Sequence, residues 1–174
     1  CIRDSSRSVD SICLIGNGDT LISSGADLSL RVWDMKAGTL IRSLNQHTKP
    51  VNELRLRPIK DGLPMFASAA RDKTIRFWQP PIGRMVRYIR LDSEPLNIAW
   101  TNDGDRILAT CADGHLRVID PIELTVTQDL HATDGWAYAI AVHPHDESVA
   151  IGGINGQIRR IDNLFARKTK IETR

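Results

Sequence analysis

No stretch of this chain approaches the ~18 consecutive apolar residues that carry a helix across a bilayer. It shows no secretory signal either: it opens on the polar run CIRDSSRS and without a Met, which reads as a fragment or a processed segment. Cysteine is scarce. Cys1, Cys13 and Cys111 are odd in number and form no C-x-x-C, so neither a disulfide framework nor a zinc ribbon is indicated. Cys13 and Cys111 fall in expected strands, where buried free thiols are the ordinary case; this mildly favours a reducing compartment such as the cytoplasm. Charge is nearly balanced, 23 Lys and Arg against 21 Asp and Glu, too mild a surplus to point to nucleic acid. There is no Gly-rich phosphate loop, no C-x-x-C-H and no H-E-x-x-H, so no cofactor or metal is expected. Sustained three-and-four spacing is also missing, which argues against helical repeats.

What the chain has instead is a repeat. Residues 67–79, ASAARDKTIRFWQ, run from small residues through a turn at Arg71-Asp72-Lys73 into an alternating strand. Alternation puts Ile75 and Phe77 on one face and Arg76 and Trp78 on the other. Related stretches are SSGADLSLRVWD (23–34), ATCADGHLRVID (109–120) and IGGINGQIRRID (151–162). The polar turn residue recurs as Asp27, Asp72, Asp113 and Asn155, and the strand-ending residue as Trp33, Trp78, Ile119 and Ile161, in both cases at steps of 45, 41 and 42. A fixed period of this length marks a solenoid, a propeller or an array.

With its Asp-x-x-x-Arg-x-Trp-Asp endings and a His at the head of a repeat, the chain resembles the WD40 β-propeller family. DLSLRVWD (27–34) is the fullest match; DKTIRFWQ (72–79) keeps the Trp, and the two later copies keep Asp120 and Asp162 but carry isoleucine at the Trp position. The resemblance implies an all-β, WD40-like propeller of about four blades of four antiparallel strands, part of a larger ring. The repeats run approximately over 1–44, 45–91, 92–130 and 131–174. The first repeat is read as strands at 9–15, 21–24, 29–33 and 39–44, with a turn at Asn17-Gly18-Asp19. The second has 51–57, 65–69, 74–78 and 85–91, with an enlarged turn at 58–64. The third has 96–100, 106–110, 115–119 and 124–130; the fourth has 136–142, 148–152 and 157–161, after which residues 163–173, basic and thin in apolar residues, read as a frayed end with no clear outer strand. Arg84, Arg87 and Arg90 fit an exposed edge guarded by charge.

Repeat two holds His47, Ser68 and Asp72, the residue types of a hydrolase triad, expected here in a different geometry. No nucleophile elbow surrounds Ser68. By the resemblance, His47, Ser68, Asp72 and Trp78 form a structural hydrogen-bond network inside one blade. Repeat one retains Ser23, Asp27 and Trp33, with Ser5 near the His position. Repeat three has Ala109 and Ile119, an apolar pair replacing a polar one, and repeat four is expected to retain His131 beside Asn155 and Ile161. His143-Pro144-His145-Asp146 invites a metal, yet reads as a solvated turn with too few ligands for a closed zinc site. Arg160 stands where Val32, Phe77 and Val118 stand, so either its face is uncovered or it pairs with a group outside this sequence.

The function implied is a non-catalytic protein–protein interaction scaffold. Alternatives are an accessory propeller of a longer multidomain enzyme or regulatory protein, and a propeller with its own channel site, for which Asp10 and Glu53 are the main inner-strand acids. Loops carry recognition on rigid folds. The rim at the inner-strand entrances and tight turns collects Lys49, Arg71, Glu94, Trp136 and Tyr138, expected to bind proteins or peptides. Arg71 is expected to offer a side chain with no other engagement, and Trp136 is open to either a rim or a core role. Apolar faces at both ends call for further blades or a second copy.

Overall fold

Period-two alternation bounded by turn residues produces only β-structure in the computed structural model of the chain, which describes residues 8–16, 18–58, 64–146, 148–162 and 164–165. Four antiparallel sheets follow one another along the sequence. The first comprises β1 (Val9–Ile15), β2 (Thr20–Gly25), β3 (Leu30–Asp34) and β4 (Thr39–Leu44), paired in that order. The second comprises β5 (Val51–Leu56), β6 (Phe66–Ala70), β7 (Thr74–Gln79) and β8 (Arg84–Arg90). The third comprises β9 (Pro95–Trp100), β10 (Ile107–Cys111), β11 (His115–Asp120) and β12 (Thr125–His131). Among the described residues the fourth has three strands, β13 (Ala137–Val142), β14 (Val149–Gly153) and β15 (Ile158–Ile161).

The sheets stack through three apolar cores, and alternation decides which residue enters which. From β7, Ile75 and Phe77 face the third sheet, where they meet Ile98, Trp100, Ile107 and Ile119. The next residue, Trp78, faces the first sheet and joins Ile22, Val32, Leu54 and Phe66. Leu108, Leu116 and Val118 meet Ala137, Val149 and Ile151 between the third and fourth sheets. Full burial of a side chain of this size stabilises by about 1.5–3 kcal/mol, so each sheet is held chiefly by its neighbours. The first strand of each sheet lies innermost, β1 beside β5, β5 beside β9 and β9 beside β13. The result is an open arc of propeller blades; the sheets do not close into a ring.

Among the described residues, both ends of the arc present exposed apolar side chains. Val9, Ile12, Leu14 and Leu40 are exposed on the first blade, and Ile158 is 83% exposed on the last. Arg160 sits on that same last face, 62% exposed, with Nε 2.7 Å from Asp162 and an Nη 3.2 Å from Asp146. Of the two alternatives for Arg160, the uncovered face is the one found, and its partners lie within this chain.

Two expectations need correction. Cys111 is buried, whereas Cys13 is half-buried at the margin of the core between the first and second sheets. Arg87 is more than an edge charge: its guanidinium donates to the carbonyls of Pro121 and Ile122 in the next blade. Most of residues 163–173, read as a frayed end after the fourth repeat, lie outside the described residues, as do Cys1, Ser5, Asn17 and the middle of the 58–64 turn.

Candidate functional site

The triad residues come first, because their arrangement most resembles chemistry. His47 precedes β5, Ser68 is mid-β6 and Asp72 lies in the β6–β7 turn. His47 Nε2 is 2.7 Å from Ser68 Oγ and Nδ1 is 2.9 Å from Asp72. The expected difference in geometry is not found: the order serine, imidazole, carboxylate is that of a triad. Burial separates the two cases. Ser68 is 0% exposed, and Trp78 donates its indole N–H to the same hydroxyl at 2.8 Å. No substrate carbonyl has access to that oxygen.

The electrostatics suit a fixed network. Burial pushes His47 below its ordinary value, against the hydrogen bond and charge of Asp72. The neutral ring donates from Nδ1 to Asp72 and accepts the Ser68 hydroxyl at Nε2. Burial pushes Asp72 up, but the hydrogen bonds from Thr74, His47 and the Thr48 N–H outweigh it and hold the carboxyl at about 2. All the buried polar groups of this cluster are partnered.

The other blades vary the scheme. In the first, Trp33 donates to Ser23 at 2.9 Å, and Asp27 accepts from Ser29 and Arg31. In the third, Ala109 and Ile119 are both fully buried, while Asp113 pairs with Arg117 at 2.7 Å. The fourth departs from expectation. His131 ends β12, opposite His115, and its exposed ring lies 3.7 Å from Asp134. It does not enter a network with Asn155, because the strand register carries it to the surface. The His143 ring caps its own turn, accepting the N–H groups of His145 and Asp146. Of the inner acids, Glu53 accepts from Ser11, Arg55 and the Leu54 N–H.

The rim residues converge for a reason that alternation alone does not show. Every inner strand has a register shift at the same place, between Val9 and Ser11, Val51 and Glu53, Pro95 and Asn97, and Ala137 and Ala139. A bulge re-aims one side chain. The four bulged residues are Asp10, Asn52, Leu96 and Tyr138, and all line one cavity of about 520 Å³ at the mouth of the arc. Ser8, Pro50, Glu94 and Trp136 stand two positions earlier, immediately before the same strands, and line it too. Ala26, Arg71 and Ala112 add the tight turns, each turn N–H bonded to the carbonyl of Ser8, Pro50 or Glu94 respectively.

Four of the five rim candidates, Arg71, Glu94, Trp136 and Tyr138, therefore share one cavity; Lys49 is exposed but outside its lining. Trp136 is 49% and Tyr138 44% exposed. Their rings meet edge to face at 5.6 Å. The Arg71 side chain is not disengaged as expected. Its Nε donates to Asn52 Oδ1 at 3.2 Å and lies 3.6 Å from Glu94, which also accepts the Asn52 amide. Asn52 and Leu96 were missed; the repeat spacing that aligns them with Asp10 and Tyr138 was available in the sequence.

The architecture is that of a repeat propeller with an open end on each side. Residues 2–34, 38–79 and 92–120, together more than half of the chain, match the family described as WD domain, G-beta repeat. The chain belongs to this WD40-repeat family. Periodic tryptophan protein 2 homolog of Dictyostelium discoideum is 30% identical over 106 residues, 60% of this chain and 11% of that protein. THO complex subunit 3 of Arabidopsis thaliana is 29% identical over 120 residues, 66% of this chain and 37% of that protein. Methylosome protein WDR77 of Xenopus laevis is 28% identical over 108 residues, 60% of this chain and 32% of that protein. The matched stretch thus spans between 11% and 37% of the length of these curated relatives.

Proposed function

We propose that the chain is a non-catalytic platform for protein–protein interaction, built of repeats over residues 1–44, 45–91, 92–130 and 131–174, with its partner seated at the channel mouth. The observation that carries this reading is the convergence of four bulged side chains and an exposed Trp–Tyr pair on one cavity. Aromatic and arginine side chains are the types enriched at binding hot spots. The names of two relatives, a THO complex subunit and a methylosome protein, place those proteins in assemblies. The triad-like residues of the second blade are sealed and hydrogen-bonded, which supports a structural role for His47, Ser68, Asp72 and Trp78. The same role extends to Ser23, Asp27 and Trp33. The partner is a protein or peptide; a charge surplus of +2 gives nucleic acid little hold. No described helix is long and apolar enough to cross a membrane.

A second reading makes the arc one module of a longer protein, and the short share of each relative that it spans favours it. The two are compatible, since an accessory propeller also binds through its mouth. The test is affinity capture with the native chain, Arg71→Glu and Trp136→Ala, followed by rebinding of each purified captured protein. Both variants should weaken binding with little change in melting temperature, because both side chains are largely outside the cores. Capture unaffected by either change, or unfolding on Trp136→Ala, places the partner elsewhere.

A further inference from the structure

The mouth's polar groups divide into those that answer one another and those that do not. Arg71 is the only cation in the described lining, and Glu94 faces it at 3.6 Å while Asn52 bridges the two. That cluster is neutral overall, with its amide both donating and accepting. Asp10 is different. It projects from the β1 bulge into the same cavity and is exposed, and among the described residues no cation or hydrogen-bond donor meets it. On the fourth blade, Trp136 and Tyr138 pack edge to face, both line the cavity, and both are about half exposed.

A carboxylate that no described cation meets and electron-rich aromatic rings both attract a cation, the first by its charge and the second by its quadrupole. An anionic group would have to displace Glu94 from Arg71 while approaching Asp10. The geometry points to a lysine or arginine side chain of the partner protein as the group that enters this mouth, its charge met by Asp10 and its stem or guanidinium plane laid on Trp136 and Tyr138. The inference rests on the mouth being the interaction surface. A volume of about 520 Å³ accommodates such a side chain together with part of its backbone.

The probe is a set of fluorescein-labelled Gly-Ser peptides carrying one central Lys, Arg, norleucine or Glu, titrated by anisotropy against the 174-residue chain. The Lys and Arg peptides should bind about tenfold more tightly than the norleucine and Glu peptides. Asp10→Asn should abolish that preference, and Trp136→Leu should weaken the cationic peptides most. Putrescine, a free diamine, should compete poorly; competition as strong as the Lys peptide's overturns the protein source of the cation. Equal binding of Lys and norleucine peptides, tighter binding of the Glu peptide, or an unchanged preference in Asp10→Asn overturns the inference. Loss of all peptides in Trp136→Leu with no effect of Asp10→Asn overturns the cation alone and leaves the mouth as the interaction site. Indifference to both substitutions overturns both readings.

Discussion

The imidazole of His47 and the hydroxyl of Ser68 meet at 2.7 Å in a place closed to solvent. A catalytic pair needs its nucleophile reachable; this pair spends its oxygen on a tryptophan. Removing a member should therefore cost folding rather than chemistry. His47→Ala, Asp72→Ala or Ser68→Ala each strands a buried partner, and each should destabilise by roughly 1–3 kcal/mol in urea unfolding. A hydrolase activity lost in Ser68→Ala with unchanged melting would overturn the structural role.

The third blade offers the converse experiment. Ala109 occupies the position of Ser68 and Ile119 that of Trp78, and both are fully buried. Ala109→Ser adds a hydroxyl where the neighbouring indole donor is missing. Burying it without a good partner should cost about 1–3 kcal/mol. A neutral result in equilibrium unfolding would show that the blade scheme depends less on paired polar groups than the second blade suggests.

The same network sets an acid limit. His47 is held below its ordinary value of about 6.5. Its contribution is therefore complete above about pH 6.5 and declines as pH falls below it, since the unfolded chain takes up the proton first. Asp72, held at about 2, contributes fully above its ordinary 3.8 and loses that contribution as pH falls toward 2. Melting temperature should drop between about pH 7 and pH 5, and His47→Gln should flatten that segment. A drop of equal size in His47→Gln would assign the sensitivity to other groups.

Much of this architecture was legible because each strand carries one simple alternation. The fifteen observed strands begin and end within about a residue of the expected ones, and the opposite facing of Phe77 and Trp78 follows from period two alone. Features that break alternation were not legible. Bulges at Asp10, Asn52, Leu96 and Tyr138 insert a residue without any marked composition, so repeat spacing aligns these four residues but does not show that they turn into one cavity. The engagement of Arg71 by Asn52 and Glu94 spans two blades, and His131 is carried to the surface by register. No local pattern contains either.

The bare blade faces carry their own expectation. Ile12 and Leu14 on one end and Ile158 on the other are apolar side chains at positions that the interior blades bury. Contiguous exposed apolar surface promotes association. The isolated chain should self-associate in sedimentation velocity, and Ile12→Lys with Ile158→Glu should shift it toward monomer. A sharply melting monomer without these changes would show that the end faces are tolerated in water.

The tight turn between second and third strands repeats one backbone device with unequal residues. Leu28, Lys73, Gly114 and Gly156 all have positive φ, at 68°, 65°, 79° and 73°. Each donates its N–H to the carbonyl three residues back, Gly25, Ala70, Cys111 or Gly153. The left-handed conformation costs a residue with a Cβ about 1–2 kcal/mol. Glycine removes that strain but adds about 0.5–1 kcal/mol of chain entropy to be lost on folding. At Lys73 the side chain is exposed and, among the described residues, donates one surface hydrogen bond, to the Asp92 carbonyl, so the strain term should win. Lys73→Gly should stabilise by about 0.5 kcal/mol. At Gly114 the balance reverses, because a Cβ would also run into the carbonyl oxygens of Thr133 and Gly135. Gly114→Ala should destabilise by more than about 1 kcal/mol. Paired urea titrations of the two variants test the argument: destabilisation by Lys73→Gly, or tolerance of Gly114→Ala, would show that this turn is not strained in the way its φ values imply.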